Sequence, residues 1–242
     1  MKRNQDASGQ AMLDYLNGKR SFEICERDDG SICVSPGPAG YFSPYRKWSP
    51  HEKKAVRYAK GKVLDVGCGA GRHALYLQSR GLDVVGIDIS PRAIEVCRRR
   101  GLKQTKVMSI AQLSSRMGAF DTIIMFGNNF GLFANPGRAR WLLRRFHKMT
   151  SPSGRILAQT LDPYKTTDPL HLSYHRRNRG RGRMAGQARI RIRYRDLTTP
   201  WFDYLLVSRK EMREIVKETG WKVARFIDSG GPNYIAVIEK KT

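Results

Sequence analysis

A chain of 242 residues, 40% of them hydrophobic, can bury one sizeable core, which excludes a disordered polymer. Lys and Arg number 45 against 21 Asp and Glu, and the resulting net charge of +24 fits either a polyanionic partner or a solvated basic surface. No apolar run approaches the roughly 18 residues that cross a bilayer. The first 20 residues lack the apolar stretch of a secretory signal. Cys25, Cys33, Cys68 and Cys97 have no metal-ligand spacing, so the expected setting is a reducing cytoplasm, with no membrane partner and no bound metal.

Residues 21–34, "SFEICERDDGSICV", predict two short strands around an Asp-Asp-Gly turn. The Pro- and Gly-broken stretch that follows is a loop, and Tyr41, Phe42, Tyr45 and Trp48 crowd its second half. Ser49 as N-cap, Pro50 and Glu52 in the first turn, and Gly61 past the end mark a helix. From Val63 strands and helices alternate through "KVLDVG", "GRHALYLQSRG", "DVVGIDI", "SPRAIEVCRRRG", "KQTKVMS", "FDTIIMFG", "PGRARWLLRRFHKMT" and "GRILAQTL". That rhythm predicts a parallel sheet covered by helices. Across residues 161–206 it breaks, and no crossover helix is predicted there. "RIRIRYR" alternates as a half-exposed antiparallel strand with "WFDYLLV" as its partner. Ser208 and Glu211 cap a last helix ending at Gly220, and two strands around Gly230, Gly231 and Pro232 close the chain.

"VLDVGCGAGRHALYL" carries glycines at 67, 69 and 71 where a strand hands over to a helix. Such a loop is a ligand cradle, because the helix N-terminus presents backbone N–H groups and glycine admits close approach. A dinucleotide loop wants glycine where this chain has Arg72, which disfavours a nicotinamide oxidoreductase. Asp88 ends the next strand, where a carboxylate accepts a ribose diol and Ile89 packs on an adenine face; alone, Asp88 also reads as a helix cap. Cys68 reads as a small filler and His73 as a packed or solvated histidine.

"LDVGCGAGRHALYL", "VVGIDIS", "FDTIIMFGNNFGLF" and "SPSGRIL", in that order, resemble the successive signatures of class I S-adenosylmethionine-dependent methyltransferases over roughly residues 50–160. The resemblance implies an α/β, Rossmann-like methyltransferase fold. Its sheet is mostly parallel with an antiparallel last strand, here with an N-terminal hairpin and an inserted antiparallel hairpin added. It implies a domain over 50–242 with a substrate or lid insert at 161–206, preceded by an extension over 1–49. It implies S-adenosylmethionine as cofactor and S-adenosylhomocysteine as product. Asp65 and the loop Gly67, Cys68, Gly69, Ala70 and Gly71 would hold the methionine end, Asp88 and Ile89 the ribose and adenine. Gly127 and Asn128 would line the pocket near the methyl group. In place of the family's acidic residue after the third strand stand Ser109 and Ile110, with the Ser109 hydroxyl as the adenine acceptor.

Methyl transfer from a sulfonium is an in-line displacement that needs alignment and exclusion of water, so it calls for no triad or metal site. The substrate region is expected from the aromatic loop, the "GNNFGLF" turn and the insert, with Tyr41, Tyr45, Asn129, Tyr164, His171 and Tyr174 as candidates. Tyr41 and Tyr45 equally read as packing for the N-terminal segment. "DPY" at 162–164 follows the fifth strand instead of the fourth, so it reads as pocket wall. "HRRNRGRGRMAGQARIRIRYR" holds nine arginines and no acid. It suits RNA phosphates or a solvated face. With no RNA-binding module appended and aromatic residues in the insert, a small-molecule acceptor is the expectation. An RNA methyltransferase and a non-catalytic cofactor sensor are the alternatives.

Overall fold

The computed structural model describes residues 2–35 and 37–241. In chain order its elements are α1 (Ala7–Leu16), β1 (Ile24–Arg27), β2 (Ile32–Val34), α2 (Ala39–Phe42), α3 (Pro50–Val56), β3 (Lys62–Val66), α4 (Arg72–Ser79), β4 (Asp83–Asp88), α5 (Pro91–Arg99) and β5 (Gln104–Val107). They continue as β6 (Phe120–Met125), α6 (Pro136–Lys148), β7 (Thr150–Leu161), α7 (Pro169–Gly180), β8 (Gln187–Tyr194), β9 (Leu197–Thr198), β10 (Phe202–Leu205), α8 (Arg209–Val216), β11 (Trp221–Asp228) and β12 (Asn233–Lys240). Within one compact unit the strand orders are β3-β4-β5 and β8-β1-β2, with β9 paired to β8, and within the other the order is β11-β12-β7-β6. Pairs β3–β4, β4–β5 and β6–β7 are parallel, and β12 runs antiparallel to both its neighbours, as expected of the last strand.

The chain forms two compact units. The first comprises Met1–Trp48, Lys60–Leu113 and Ile190–Phe202. Here the buried runs Val63–Val66 and Val84–Ile87 make the parallel strands β3 and β4. Helix α1, which the sequence reading does not contain, packs on α5. Asp6 is its anchor: its carboxylate caps Gly9 and accepts from Ser90 Oγ at 2.6 Å and Arg92 N at 3.1 Å. The hairpin β1–β2 forms as predicted, with Cys25 opposite Cys33, and β1 also pairs with β8. The four cysteines are free thiols.

The second unit comprises Ser49–Ala59, Ser114–Arg189 and Asp203–Thr242. Its core is built on β7 and β12, where Ile156–Ala158 and Tyr234–Ile238 are fully buried. The predicted caps of α3 and α8 are present, each as a capping box, and Asn135 caps α6 by accepting from Arg138 N. Residues 161–206 depart from the expectation of strands alone, because α7 forms there. Asp168 caps it by accepting from Leu170 N at 2.8 Å and Pro169 opens it, while Tyr174, His175 and Asn178 bury its inner face. Those three polar or amphipathic residues carry none of the apolar periodicity that announces a helix. Among the described residues no helix is long and apolar enough to cross a membrane.

Candidate functional site

In the first unit the loop after β3 owes its shape to glycine. Gly69 sits at φ 54°, in left-handed backbone. A Cβ there would lie 3.8 Å from Met12 Sδ and 4.0 Å from Tyr41 Cδ1, so the space above the loop is open to ordinary contact. Gly71 is the N-cap of α4 at φ 78°, and a Cβ there would stand 3.0 Å from Cys97 Sγ. The loop is tied on one side to β4: Gly69 N donates to Asp88 Oδ2 at 3.0 Å. The other Asp88 oxygen accepts Ser90 N at 2.9 Å. Asp88 is half-buried, and burial raises its carboxyl above the ordinary range, opposed by these backbone hydrogen bonds. Cys68, as expected of a filler, is buried with its Sγ 3.8 Å from that of Cys97.

Asp65 lies beneath this loop and is 2% exposed. It accepts a main-chain hydrogen bond from Ala74, but its buried Oδ2 has no partner. Burial first, and the neighbouring Asp88 second, push its carboxyl up to about 7. Ile89 is exposed, and Ile110 is buried. Ser109 acts as a cap: its Oγ accepts Ala111 N at 3.3 Å while Gln112 Oε1 accepts Ser109 N.

The aromatic loop divides. Tyr41 lies over Gly69 and hydrogen-bonds to Glu23, whose burial raises its carboxyl. Tyr45 stacks flat on Tyr76, with ring centroids 4.4 Å apart, and Trp48 sets its edge against Tyr45, Tyr76 and His73. His73 is therefore packed in an aromatic cluster. Met12, with Ala70, Ala93 and Val96, forms a buried cluster under Phe42. Neither Met12 nor Asp6 was foreseen; the signal available was Asp6 standing as N-cap before "ASGQAMLDYL".

In the second unit the turn after β6 is held from two sides. Gly127 (φ 69°) and Asn128 (φ 63°) are consecutive left-handed residues, uncommon for a non-glycine such as Asn128. Gly127 N donates to Gln159 Oε1 at 2.8 Å. The Asn128 carbonyl accepts Tyr204 Oη at 2.7 Å, while its buried Oδ1 has no partner. Asn129 opens the short helical turn through Phe133. Gln159 and His51 were not foreseen, since no motif marks them, whereas Tyr204 is one of the insert's aromatic residues expected at a pocket. Tyr164 Oη donates to Glu211 Oε1 at 2.6 Å, and burial with that hydrogen bond pushes its phenol up to about 12. His171 is exposed beside Thr166 and Asp168. Tyr174 is buried, its hydroxyl accepting Arg189 N at 3.0 Å.

The strand alternation expected through Arg195 stops at Tyr194, because Arg195 turns into left-handed backbone; the three β8 arginines and Arg195 are all engaged within the chain. Arg191 grips Glu26 with two hydrogen bonds of 2.8 Å, and Arg193 approaches the same carboxylate at 3.5 Å. Arg195 lies 3.2 Å from Asp14, and Arg189 3.6 Å from Asp203.

A family model described as a methyltransferase domain matches residues 63–154. The 2-heptyl-1-hydroxyquinolin-4(1H)-one methyltransferase of Mycobacteroides abscessus is 41% identical over 83 residues, 31% of this chain and 37% of that protein. The glycine/sarcosine N-methyltransferase of Halorhodospira halochloris is 28% identical over 102 residues, 40% of this chain and 38% of that protein. The chain thus spans about half or less of the curated relatives it matches. A crystal structure of an S-adenosylmethionine-dependent methyltransferase from Bacteroides fragilis, in complex with S-adenosyl-L-homocysteine, superimposes with a TM-score of 0.85 at 26% identity, over 100% of this chain and 98% of that one. The chain thus carries a methyltransferase domain over residues 63–154 and shares the fold of an S-adenosylmethionine-dependent methyltransferase along its whole length.

Proposed function

We propose that this protein transfers the methyl group of S-adenosylmethionine to a small-molecule acceptor. The observation that carries the cofactor assignment is the buried, unpartnered Oδ2 of Asp65 beneath a loop whose apex amide is bound to Asp88. An isolated buried carboxylate oxygen is costly unless a cation or donor meets it. The ammonium of the cofactor's amino-acid end is such a group. Asp88 already accepts two amides, yet a carboxylate has about four acceptor sites, so it retains capacity for a ribose diol. The residues present therefore fit the cofactor.

When bound, the cofactor supplies a methyl group on a sulfonium that already carries its leaving group. The chain's part is to orient and to exclude water. Asp65 and the loop Gly67–Gly71 are assigned to the amino-acid end, Asp88 to the ribose, and Ile89, Ser109 and Ile110 to the adenine. Tyr41, which lies over Gly69, is assigned as a cover for the cofactor. The turn at Gly127, Asn128 and Asn129 is assigned to the acceptor, with the insert as the source of further acceptor contacts. Tyr45 is proposed as packing for the N-terminal segment, since its ring is stacked on Tyr76.

A small acceptor is favoured over RNA because the guanidiniums of Arg189, Arg191 and Arg193 on β8, and of Arg195 in the turn after it, are already matched by Glu26, Asp14 and Asp203. Phosphates binding there would have to displace those carboxylates. The curated relatives named above carry small molecules in their names, which points the same way. Calorimetry with S-adenosylhomocysteine and with NAD tests the cofactor: binding of the first alone is expected, and binding of NAD alone ends this reading. Labelled methyl from S-adenosylmethionine is then followed into a metabolite pool and into total RNA. Label in the metabolites is expected, and label confined to RNA overturns the choice of acceptor.

A further inference from the structure

We propose that Gln159 is the positioning residue of the Gly127–Asn128 turn, and that His51 selects the one amide orientation in which Gln159 holds it. The latch is read from side chains alone; only its consequence for methyl transfer rests on the function proposed above.

Gln159 is 7% exposed near the end of β7, and His51 is 8% exposed in the first turn of α3. The Gln159 oxygen accepts Gly127 N at 2.8 Å, which leaves its NH2 group to face His51 Nε2 at 3.5 Å. An amide NH2 only donates, so His51 Nε2 must carry a lone pair and the imidazole its proton on Nδ1. Turning the amide over would set its NH2 against the Gly127 N–H, donor against donor. A neutral His51 therefore permits only the orientation that grips the turn.

A proton on Nε2 reverses the preference. Two donors would then face each other, and the Gln159 oxygen would have to swing to the imidazolium, releasing Gly127. Burial holds His51 below the ordinary imidazole value, with Glu52 opposing, so the gripping state prevails near neutrality. Glu52 is the one charged group acting on His51 among the described residues. The strands β11 and β12 pack on α3, but they engage Arg225 with Tyr58 and Glu239 with Arg155. Two consecutive left-handed residues, one of them Asn128, need such external holding, because the backbone alone does not favour them.

The test is NMR on the intact chain. At pH 8 the His51 nitrogen shifts should report an unprotonated Nε2, and the Gly127 amide should be protected from exchange. As His51 titrates toward pH 5, the Gly127 protection factor should fall about tenfold or more, the equivalent of one hydrogen bond, while the Ile235 amide of the sheet holds. Gln159→Leu should remove the protection at both pH values. Gln159→Glu, which accepts from both neighbours at once, should keep it at pH 5. A proton on Nε2 at pH 8 overturns the proposal, and so does Gly127 protection indifferent to pH or to Gln159→Leu. Calorimetry with S-adenosylhomocysteine on the same samples reports separately on the function: its failure in the wild type removes that reading and leaves the latch to the NMR.

Discussion

The amide of Gly69 donates to the carboxylate of Asp88 across 3.0 Å, joining the apex of the loop after β3 to the acid that ends β4. One residue therefore ties the loop to β4 and, on the function proposed, is also the acceptor for the ribose. Asp88→Ala should weaken S-adenosylhomocysteine binding by roughly 1–3 kcal/mol, the range for hydrogen bonds to a charged group. It should also loosen the loop, seen as faster exchange of the Gly69 amide. Unchanged affinity with a loosened loop would leave Asp88 as a structural tie only.

Asp65 predicts a pH dependence of stability. Its folded carboxyl lies near 7, above the unfolded value. Below about pH 4 it is protonated in both states and costs nothing. Between about 4 and 7 the unfolded chain ionises while the folded one resists, so stability falls as pH rises, and above 7 the penalty is constant. The wild type should lose about 2 kcal/mol more than Asp65→Asn between pH 5 and pH 7, at up to about 1.36 kcal/mol for each pH unit and less as the folded carboxyl itself ionises near 7. Urea unfolding at the two pH values measures this. Bound ammonium favours the carboxylate, so S-adenosylhomocysteine should bind the wild type more tightly at pH 8 than at pH 6, with a proton released at the lower pH. Parallel stability curves for wild type and variant would remove Asp65 from this role.

What the sequence made legible, and what it hid, separates along a physical line. Local signals were readable: the capping box at Ser208 and Glu211, Pro50 after Ser49, and the apolar runs of β3, β4 and β6 all form as their chemistry dictates. The glycine loop and Asp88 were legible because left-handed backbone and a strand-ending acid leave marks in one short window. Helix α7 was not, because its buried face is Tyr174, His175 and Asn178, polar or amphipathic residues whose partners are distant. Gln159 and His51 lie 108 residues apart, and neither type at either position signals the other. The arginines between 189 and 195 looked like a free basic face because Glu26 and Asp14 sit far upstream.

Gly71 and Gly81 separate backbone strain from crowding. Both have positive φ, 78° and 85°. A Cβ at Gly81 meets nothing within 4 Å, whereas one at Gly71 meets Cys97 Sγ at 3.0 Å beneath the loop. Gly81→Ala should therefore cost only the left-handed penalty, roughly 1–2 kcal/mol. Gly71→Ala should cost more, and Gly71→Ala with Cys97→Ala should recover part of the difference. Equal melting temperatures for the two single variants would mean that the thiol yields without resistance.

Tyr204 and Gly131 should couple in the same way at the turn of the second unit. The Tyr204 ring lies where a Gly131 side chain would be: a Cβ built there falls well inside contact distance of three ring atoms. The Tyr204 hydroxyl meanwhile donates to the Asn128 carbonyl at 2.7 Å. Tyr204→Phe removes only the hydrogen bond and should cost about 1 kcal/mol. Gly131→Ala should cost considerably more, because a rigid ring between fixed elements cannot give way as a flexible chain end would. Combining Gly131→Ala with Tyr204→Ala should then be less destabilising than the sum of the two single changes, since the methyl group enters the space the ring vacates. A double-mutant cycle by chemical denaturation measures the coupling. Additivity within about 0.5 kcal/mol, the range for independent sites, would show that the ring and the turn do not constrain each other.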